Sequence, residues 1–346
     1  RAKNTGNTNI LRWHDTFYAL MENAKPTAFD SELETIGEST LGGVVHGSFS
    51  AHPHDVVERR ATYNFGMSYG RRTTLSLYEL PWIGPARQLT SLPLEHPVML
   101  HDFMATRDHL VLLVSPYQLV LHRAILAIGS FKDLFRWVPE AGTEVIVVPI
   151  DQPERTRRFK VDAFFQIHLA GGFDEPDAIV VDVMAYADAG ALERNVSDID
   201  RPPEIGELIR MRIPHGAERL EKERLGDTCI EFGSVDPRLR GSHYGQIYGV
   251  TVDETRFGAV RVDVERGKEH CYWFPENEFV GEPIFVPARP DAAEDEGHVL
   301  MHVYAADDHT THLAILDAQR IEEGPIARAH FDHHIPAAFH GIWVAD

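Results

Sequence analysis

Twenty histidines in 346 residues are the feature of this sequence most able to do chemistry, because neutral imidazole is the commonest side-chain metal ligand. Most of them read as ordinary. His109, His122, His215, His270 and His312 stand among charged or strand-surface neighbours. Four others have distinctive surroundings: Ser50-Ala-His52-Pro-His, Met99-Leu-His101-Asp-Phe-Met, Phe164-Phe-Gln-Ile-His168-Leu-Ala and Ala338-Phe-His340-Gly-Ile-Trp. Three of these have small or apolar neighbours, which suits the inner end of a strand. Their wide separation rules out a single helix-borne site and requires several elements to bring them together.

A second chemical motif is Gly66-Met-Ser-Tyr-Gly, which has the G-x-S-x-G form of a hydrolase nucleophile elbow. That elbow needs a strand before the serine and a helix after it. Here Arg-Arg-Thr-Thr-Leu-Ser-Leu-Tyr follows, which is strand-forming, so the serine reads as part of a strand. There is no H-E-x-x-H, C-x-x-C, Walker loop or G-x-G-x-x-G.

The elements that must position these residues are short β-runs. Ala61–Tyr69 and Thr73–Leu80 read as a hairpin through Gly70-Arg-Arg; Ala259–Glu265 with His270–Phe274, and His298–Tyr304 with Thr311–Asp317, read as two more. Val145–Pro149 and Ala178–Val183 are further strand candidates. Phe17–Asn23 suits a helix or a strand, and Asp188–Asn195 a helix. Many short strands with frequent turns indicate an all-β sandwich, barrel or propeller. At roughly 40–50 residues per four-stranded blade, the length gives about six to seven blades' worth of chain.

Bulk composition excludes several classes. The net charge of −20 lacks the basic footprint nucleic acid requires. No apolar run approaches a membrane span, and Arg1–Thr8 has no apolar core of a secretory leader. Two cysteines, Cys229 and Cys271, form no disulfide framework, so a reducing cytoplasm is the simplest compartment. The most apolar stretch is Val111–Gly129. Read from its residues, it is a buried strand plus a core helix.

Taken in order, the four histidine contexts resemble the iron-binding motifs of the carotenoid cleavage oxygenase family. Asn7-Thr-Asn-Ile, Gly281-Glu-Pro-Ile-Phe-Val-Pro, Ala293-Glu-Asp-Glu-Gly, Leu316-Asp-Ala-Gln and the closing His333-His-Ile-Pro-Ala-Ala-Phe-His-Gly-Ile-Trp-Val extend the resemblance from about Asn4 to Val344. Cys229-Ile-Glu-Phe and Gly241-Ser-His-Tyr-Gly-Gln-Ile-Tyr-Gly are closest in character to bacterial apocarotenoid oxygenases. Two departures stand out. His168 is followed by Leu-Ala-Gly-Gly-Phe where the family has Asn-Ala-aromatic-Glu-Glu, and Gly233 replaces a usual proline.

The resemblance implies a seven-bladed β-propeller with Fe(II) on its axis, held by His52, His101, His168 and His340. It implies three supporting carboxylates, with Glu22 pairing His101, Glu231 pairing His168 and Glu282 pairing His340. Thr8 matches a position that partly blocks one open iron position. Because family members carry a further stretch before this point, residues 1–346 are expected to be one propeller domain, the larger C-terminal part of a longer chain with part of the ring missing. The implied activity is dioxygenase cleavage of a C=C bond of an apocarotenoid or carotenoid by O₂, giving two carbonyl products. Alternatives are a stilbene- or phenylpropene-cleaving oxygenase of the same family, a metal-dependent hydrolase, and a non-catalytic propeller binding module. The partners are a lipophilic polyene and O₂, without nucleic acid. The expected location is cytoplasmic with peripheral membrane contact through Leu119, Leu121 and Leu126, to which the apolar stretch corresponds.

Overall fold

The structure, a computed structural model, describes residues 4–70, 72–126, 128–197, 202–336 and 339–345. Its regular structure is β apart from short 3₁₀ turns and, among the described residues, the two α-helices Leu121–Leu126 and Gly190–Ser197. The chain forms two compact units. One takes in residues up to Phe165 with 187–189 and 214–219; the other takes in 166–186, 190–213 and the chain from Leu220.

In the first unit the strands form antiparallel meanders. Asn9–Trp13, Thr16–Leu20, Thr27–Phe29 and Thr35–Glu38 are neighbours in that order, as are His54–Val56, Ala61–Ser68, Thr73–Pro81 and Arg87–Leu94. A third sheet pairs His109–Val114 with Met104–Ala105 and Thr143–Pro149, and the latter with Arg157–Val161. Tyr63, Phe65, Leu75, Leu77, Leu110, Leu112, Ile146 and Val148 fuse the second and third sheets into one apolar core. The sequence left Phe17–Asn23 open between helix and strand. Tyr18 pairs with Leu11 and is buried beside Leu20, so sheet packing decides it.

The Gly66 motif sits within this packing. Ser68 ends its strand and pairs with Thr74 of the strand Thr73–Pro81, and no helix follows it among the described residues. A Cβ on Gly66 would lie 1.9 Å from the Ser48 carbonyl oxygen, so the glycine permits a close backbone crossing. The apolar stretch divides in two. Its first part is the buried strand His109–Val114 followed by buried Tyr117, whereas the helix Leu121–Leu126 has no buried residue. Leu121, Ile125, Leu126 and Ile128 are exposed, so this helix is not part of the core.

The second unit is built on a seven-stranded antiparallel run. Its order is Phe165–Asp174, Ala178–Tyr186, Gly206–Pro214, Glu221–Ser234, Gln246–Val252, Phe257–Asp263 and Lys268–Trp273. The long strand Glu221–Ser234 pairs on one side through Glu221–Ile230 and on the other through Glu231 and Ser234. Its register shifts between these last two residues, and Phe232 there takes the left-handed conformation at φ 53°. Glu278–Val280, Ile284–Pro287, Gly297–Ala305, Thr310–Asp317 and Pro325–His330 form the remaining sheet.

His312 corrects the sequence reading. It is 3% exposed rather than on a strand surface, because its register opposite Val303 puts it on the face that packs the core. Burial, assisted by the charges of Arg328, His330 and His302, depresses its pKa to about 4.

Candidate metal centre

Within the first unit, backbone clamps fix the approach to His52. Ser50 N–H donates to the Phe65 carbonyl at 2.8 Å, Asn64 Nδ2 donates to the Ser50 carbonyl at 2.8 Å, and Asn9 Nδ2 donates to the Ala51 carbonyl at 2.7 Å. His52 N–H then donates to Ser50 Oγ at 3.1 Å. His101 is followed by buried Asp102, which accepts the Phe103 N–H at 2.8 Å and lies 2.8 Å from His54 Nε2. The His52 and His101 ring centroids are 4.3 Å apart. Glu22 Oε1 lies 3.5 Å from both His52 Nε2 and His101 Nδ1, so one carboxylate faces two imidazoles.

Within the second unit, His168 and His340 have ring centroids 4.9 Å apart, edge to face. His168 Nδ1–H donates to Glu231 Oε2 at 2.7 Å. Glu231 also accepts the Tyr186 hydroxyl at 2.6 Å and the Phe232 N–H at 2.9 Å. Burial pushes the Glu231 carboxyl pKa up, but His168, Tyr186 and Phe232 outweigh burial and hold it below its ordinary value. His340 Nδ1–H donates to Glu282 Oε1 at 3.2 Å, and Gly341 N–H donates to Glu282 Oε2 at 3.1 Å. The Phe232 ring packs against both imidazoles, with centroids 5.2 Å from His168 and 5.5 Å from His340. The left-handed backbone at Phe232 is strain, held by the bulge at the point where it orients this ring.

His52, His101, His168 and His340 each offer one ring nitrogen, and these atoms all lie within 4.8 Å of one another. That group could hold a metal ion. With imidazole–metal bonds of about 2.1 Å, nitrogens on opposite sides of one ion are about 4.2 Å apart and neighbouring ones about 3.0 Å. The observed spread is therefore close to what one first-row ion needs. The donor chemistry fits as well. A carboxylate bound to Nδ1–H fixes the tautomer and leaves Nε2 as the lone-pair donor, as at His168 and His340.

Histidines close to these in sequence fall outside the group. His54 pairs with Asp102, His333 with Asp332, and His334 stacks on His309. Thr8 lies half-buried just ahead of Asn9–Trp13, its N–H donating to the Leu20 carbonyl at 3.0 Å. Sequence reading passed over three residues beside the histidines. Asp102 was signalled by its place directly after His101. Tyr186 and Phe232 carried no local signal, because Tyr186 meets Glu231 across 45 positions and Phe232 matters through an unusual φ.

With this geometry in place, a family model described as retinal pigment epithelial membrane protein matches residues 1–345. The chain belongs to this family, the carotenoid cleavage oxygenases. The apocarotenoid-15,15'-oxygenase of Synechocystis is 31% identical to it over 99% of the chain and 73% of the relative. Isoeugenol monooxygenase of Pseudomonas putida is 25% identical over 99% of the chain and 75% of the relative. The solved structure of cobalt-substituted Synechocystis apocarotenoid oxygenase aligns with a TM-score of 0.89 at 30% identity, covering all of this chain and 76% of that one.

Proposed function

We propose that the protein is an Fe(II)-dependent dioxygenase that splits a C=C bond of an apocarotenoid or carotenoid into two carbonyl products. The observation that carries this reading is the group of four imidazole nitrogens within 4.8 Å, behind which stand Glu231 and Glu282, each bonded to one ring. A ferrous ion held by neutral ligands would supply an open position for O₂ and act on an electron-rich alkene nearby. His52, His101, His168 and His340 bind the ion, and Glu22, Glu231 and Glu282 keep the rings in their metal-binding tautomer and orientation. Thr8 narrows one approach to the metal. On this reading the sheets belong to a seven-bladed propeller with the four histidines at its axis.

A pure binding scaffold would gain nothing from burying this many polar groups, which cost free energy unless paired. Substrate class follows the relatives: 31% identity to an apocarotenoid oxygenase against 25% to an isoeugenol monooxygenase favours the polyene. No helix among the described residues is long and apolar enough to cross a membrane. The exposed apolar side chains of Leu121, Ile125, Leu126 and Ile128 suit contact with the lipid in which such a substrate dissolves. Leu119, half-buried at the end of its strand, borders this contact.

The experiment is purification with Fe(II), metal analysis, O₂ uptake, and product mass spectrometry over a panel of apocarotenoids, stilbenes and phenylpropenes. The expected result is one iron per chain, with two carbonyl fragments from an apocarotenoid. Cleavage of the phenylpropene alone would move the substrate class. A protein that takes up neither iron nor O₂ would be a scaffold or a hydrolase.

A further inference from the structure

The three carboxylates beside the histidines are not held alike. Glu22 stands 3.5 Å from two imidazoles. Glu282 makes contacts of 3.1 and 3.2 Å with Gly341 and His340. Glu231 combines a 2.7 Å bond to an imidazole with a 2.6 Å bond from a side-chain hydroxyl, that of Tyr186. Both Glu231 and Tyr186 are buried.

The neighbouring strands make room for this hydroxyl. Tyr186 ends the strand Ala178–Tyr186, and its ring lies against Gly206 of the neighbouring strand. A Cβ on Gly206 would stand 3.1 Å from Tyr186 Cε2 and 2.9 Å from the Met184 carbonyl carbon, so glycine leaves room for the ring. Gly206 pairs with Ile230, the residue before Glu231, which brings the hydroxyl to the carboxylate. The Tyr186 oxygen also accepts from the Gly206 backbone, leaving its own proton for Glu231.

We propose that Tyr186 is a positioning residue of the metal centre: its hydroxyl pins Glu231 Oε1 so that Oε2 faces His168, and it draws charge from the carboxylate, setting how strongly His168 donates to the metal. This rests on the metal reading above. A carboxylate that keeps its full charge polarises the imidazole N–H more, and one that is not pinned orients it less. The hydroxyl therefore trades donor strength for a fixed direction, and it does so on one of the four ligands.

Cobalt(II) is the probe, because its visible bands report ligand geometry. Chelator competition should show Tyr186→Phe binding cobalt about tenfold more weakly than wild type, with shifted bands, in line with other disruptions behind a ligand. In a Glu231→Gln background the same substitution should change affinity by no more than about twofold, the margin within which independent effects add. Fluorotyrosine at position 186 keeps the ring and strengthens the O–H donor, so the bands should move opposite to those of Tyr186→Phe. That arm decides the matter if Tyr186→Phe does not fold. Equal loosening in both backgrounds, or bands that ignore the fluorotyrosine, would reduce Tyr186 to packing and overturn the proposal. A wild type that binds cobalt beside an indistinguishable Tyr186→Phe overturns this inference alone. A wild type that binds none overturns the metal reading together with it.

Discussion

Replacing Glu231 by glutamine perturbs one ligand arm while nearly preserving shape. The native carboxylate accepts three donors: His168 Nδ1–H at 2.7 Å, Tyr186 Oη–H at 2.6 Å and Phe232 N–H at 2.9 Å. A glutamine offers a single oxygen. His168 and Phe232 both use Oε2, so the amide settles with its oxygen there and its NH₂ toward Tyr186. The Tyr186 proton must then turn away. Hydrogen bonds to charged groups contribute about 1.5–3 kcal/mol and neutral ones about 0.5–1.5. The His168 arm therefore loses about 1–1.5 kcal/mol of support in the metal-bound state. At about 1.4 kcal/mol per decade that is close to tenfold weaker metal retention, at the low end of the usual range for such partners. Glu231→Ala should be worse, because it leaves three buried donors without this acceptor. The assay is iron content after graded chelator dialysis, followed by turnover and thermal melting. Wild-type iron retention and turnover in Glu231→Gln would refute the reasoning, since the carboxylate would then be structural only.

The remaining predictions concern the surface, the core and the serine motif. Ile125 and Leu126 are 72% and 63% exposed, and each inserted side chain contributes about 1.5 kcal/mol or more, so Ile125→Ser with Leu126→Ser should lower liposome binding by about 100-fold. Binding should be insensitive to salt, and unchanged partitioning of the double variant would place entry elsewhere. His312, with a folded pKa of about 4 against 6.5 unfolded, is protonated in the unfolded chain first. Its stabilising contribution is complete above about pH 6.5 and is lost as pH falls toward 4. His312→Leu should flatten denaturant-measured stability across that window, and an unchanged slope would contradict its burial as neutral imidazole. Gly66→Ala should cost about 1–3 kcal/mol of stability by overpacking, because its Cβ would meet the Ser48 carbonyl. Ser68→Ala should leave turnover intact, and loss of activity with a normal melt would revive the nucleophile reading.

The parts of the fold legible in the sequence were those in which alternation and turn chemistry agree. The three hairpins around Gly70, Arg266-Gly-Lys268 and Asp307–His309 form with the expected partners, because each is local and its turn leaves little choice of register. Where local preference was divided, packing decided: Thr16–Leu20 is a strand because it pairs with Asn9–Trp13. The helix Leu121–Leu126 lies in the same apolar stretch as the buried strand His109–Val114, so composition gave no sign that its own apolar residues face outward. His312 misled for the opposite reason. Its polar type suggested a surface, yet register alone put it on the core face.

Of the candidate site, residue type and neighbours picked out the four histidines as distinctive. That they gather within 4.8 Å is a property of tertiary structure, anticipated only through the family resemblance. The carboxylates were reachable by that route too, since single glutamates are otherwise unremarkable. The sharing of Glu22 between His52 and His101, and the Tyr186 hydroxyl on Glu231, arise from contacts between segments distant in sequence. No local pattern encodes them.

The central claim is that one iron is held by four imidazoles, and anomalous diffraction at the iron edge from crystals grown anaerobically with Fe(II) tests it most directly. The account predicts a single strong peak with His52, His101, His168 and His340 each contributing one nitrogen at about 2.0–2.2 Å. A peak elsewhere, or one from which any of these four side chains stands several ångströms away, would contradict it.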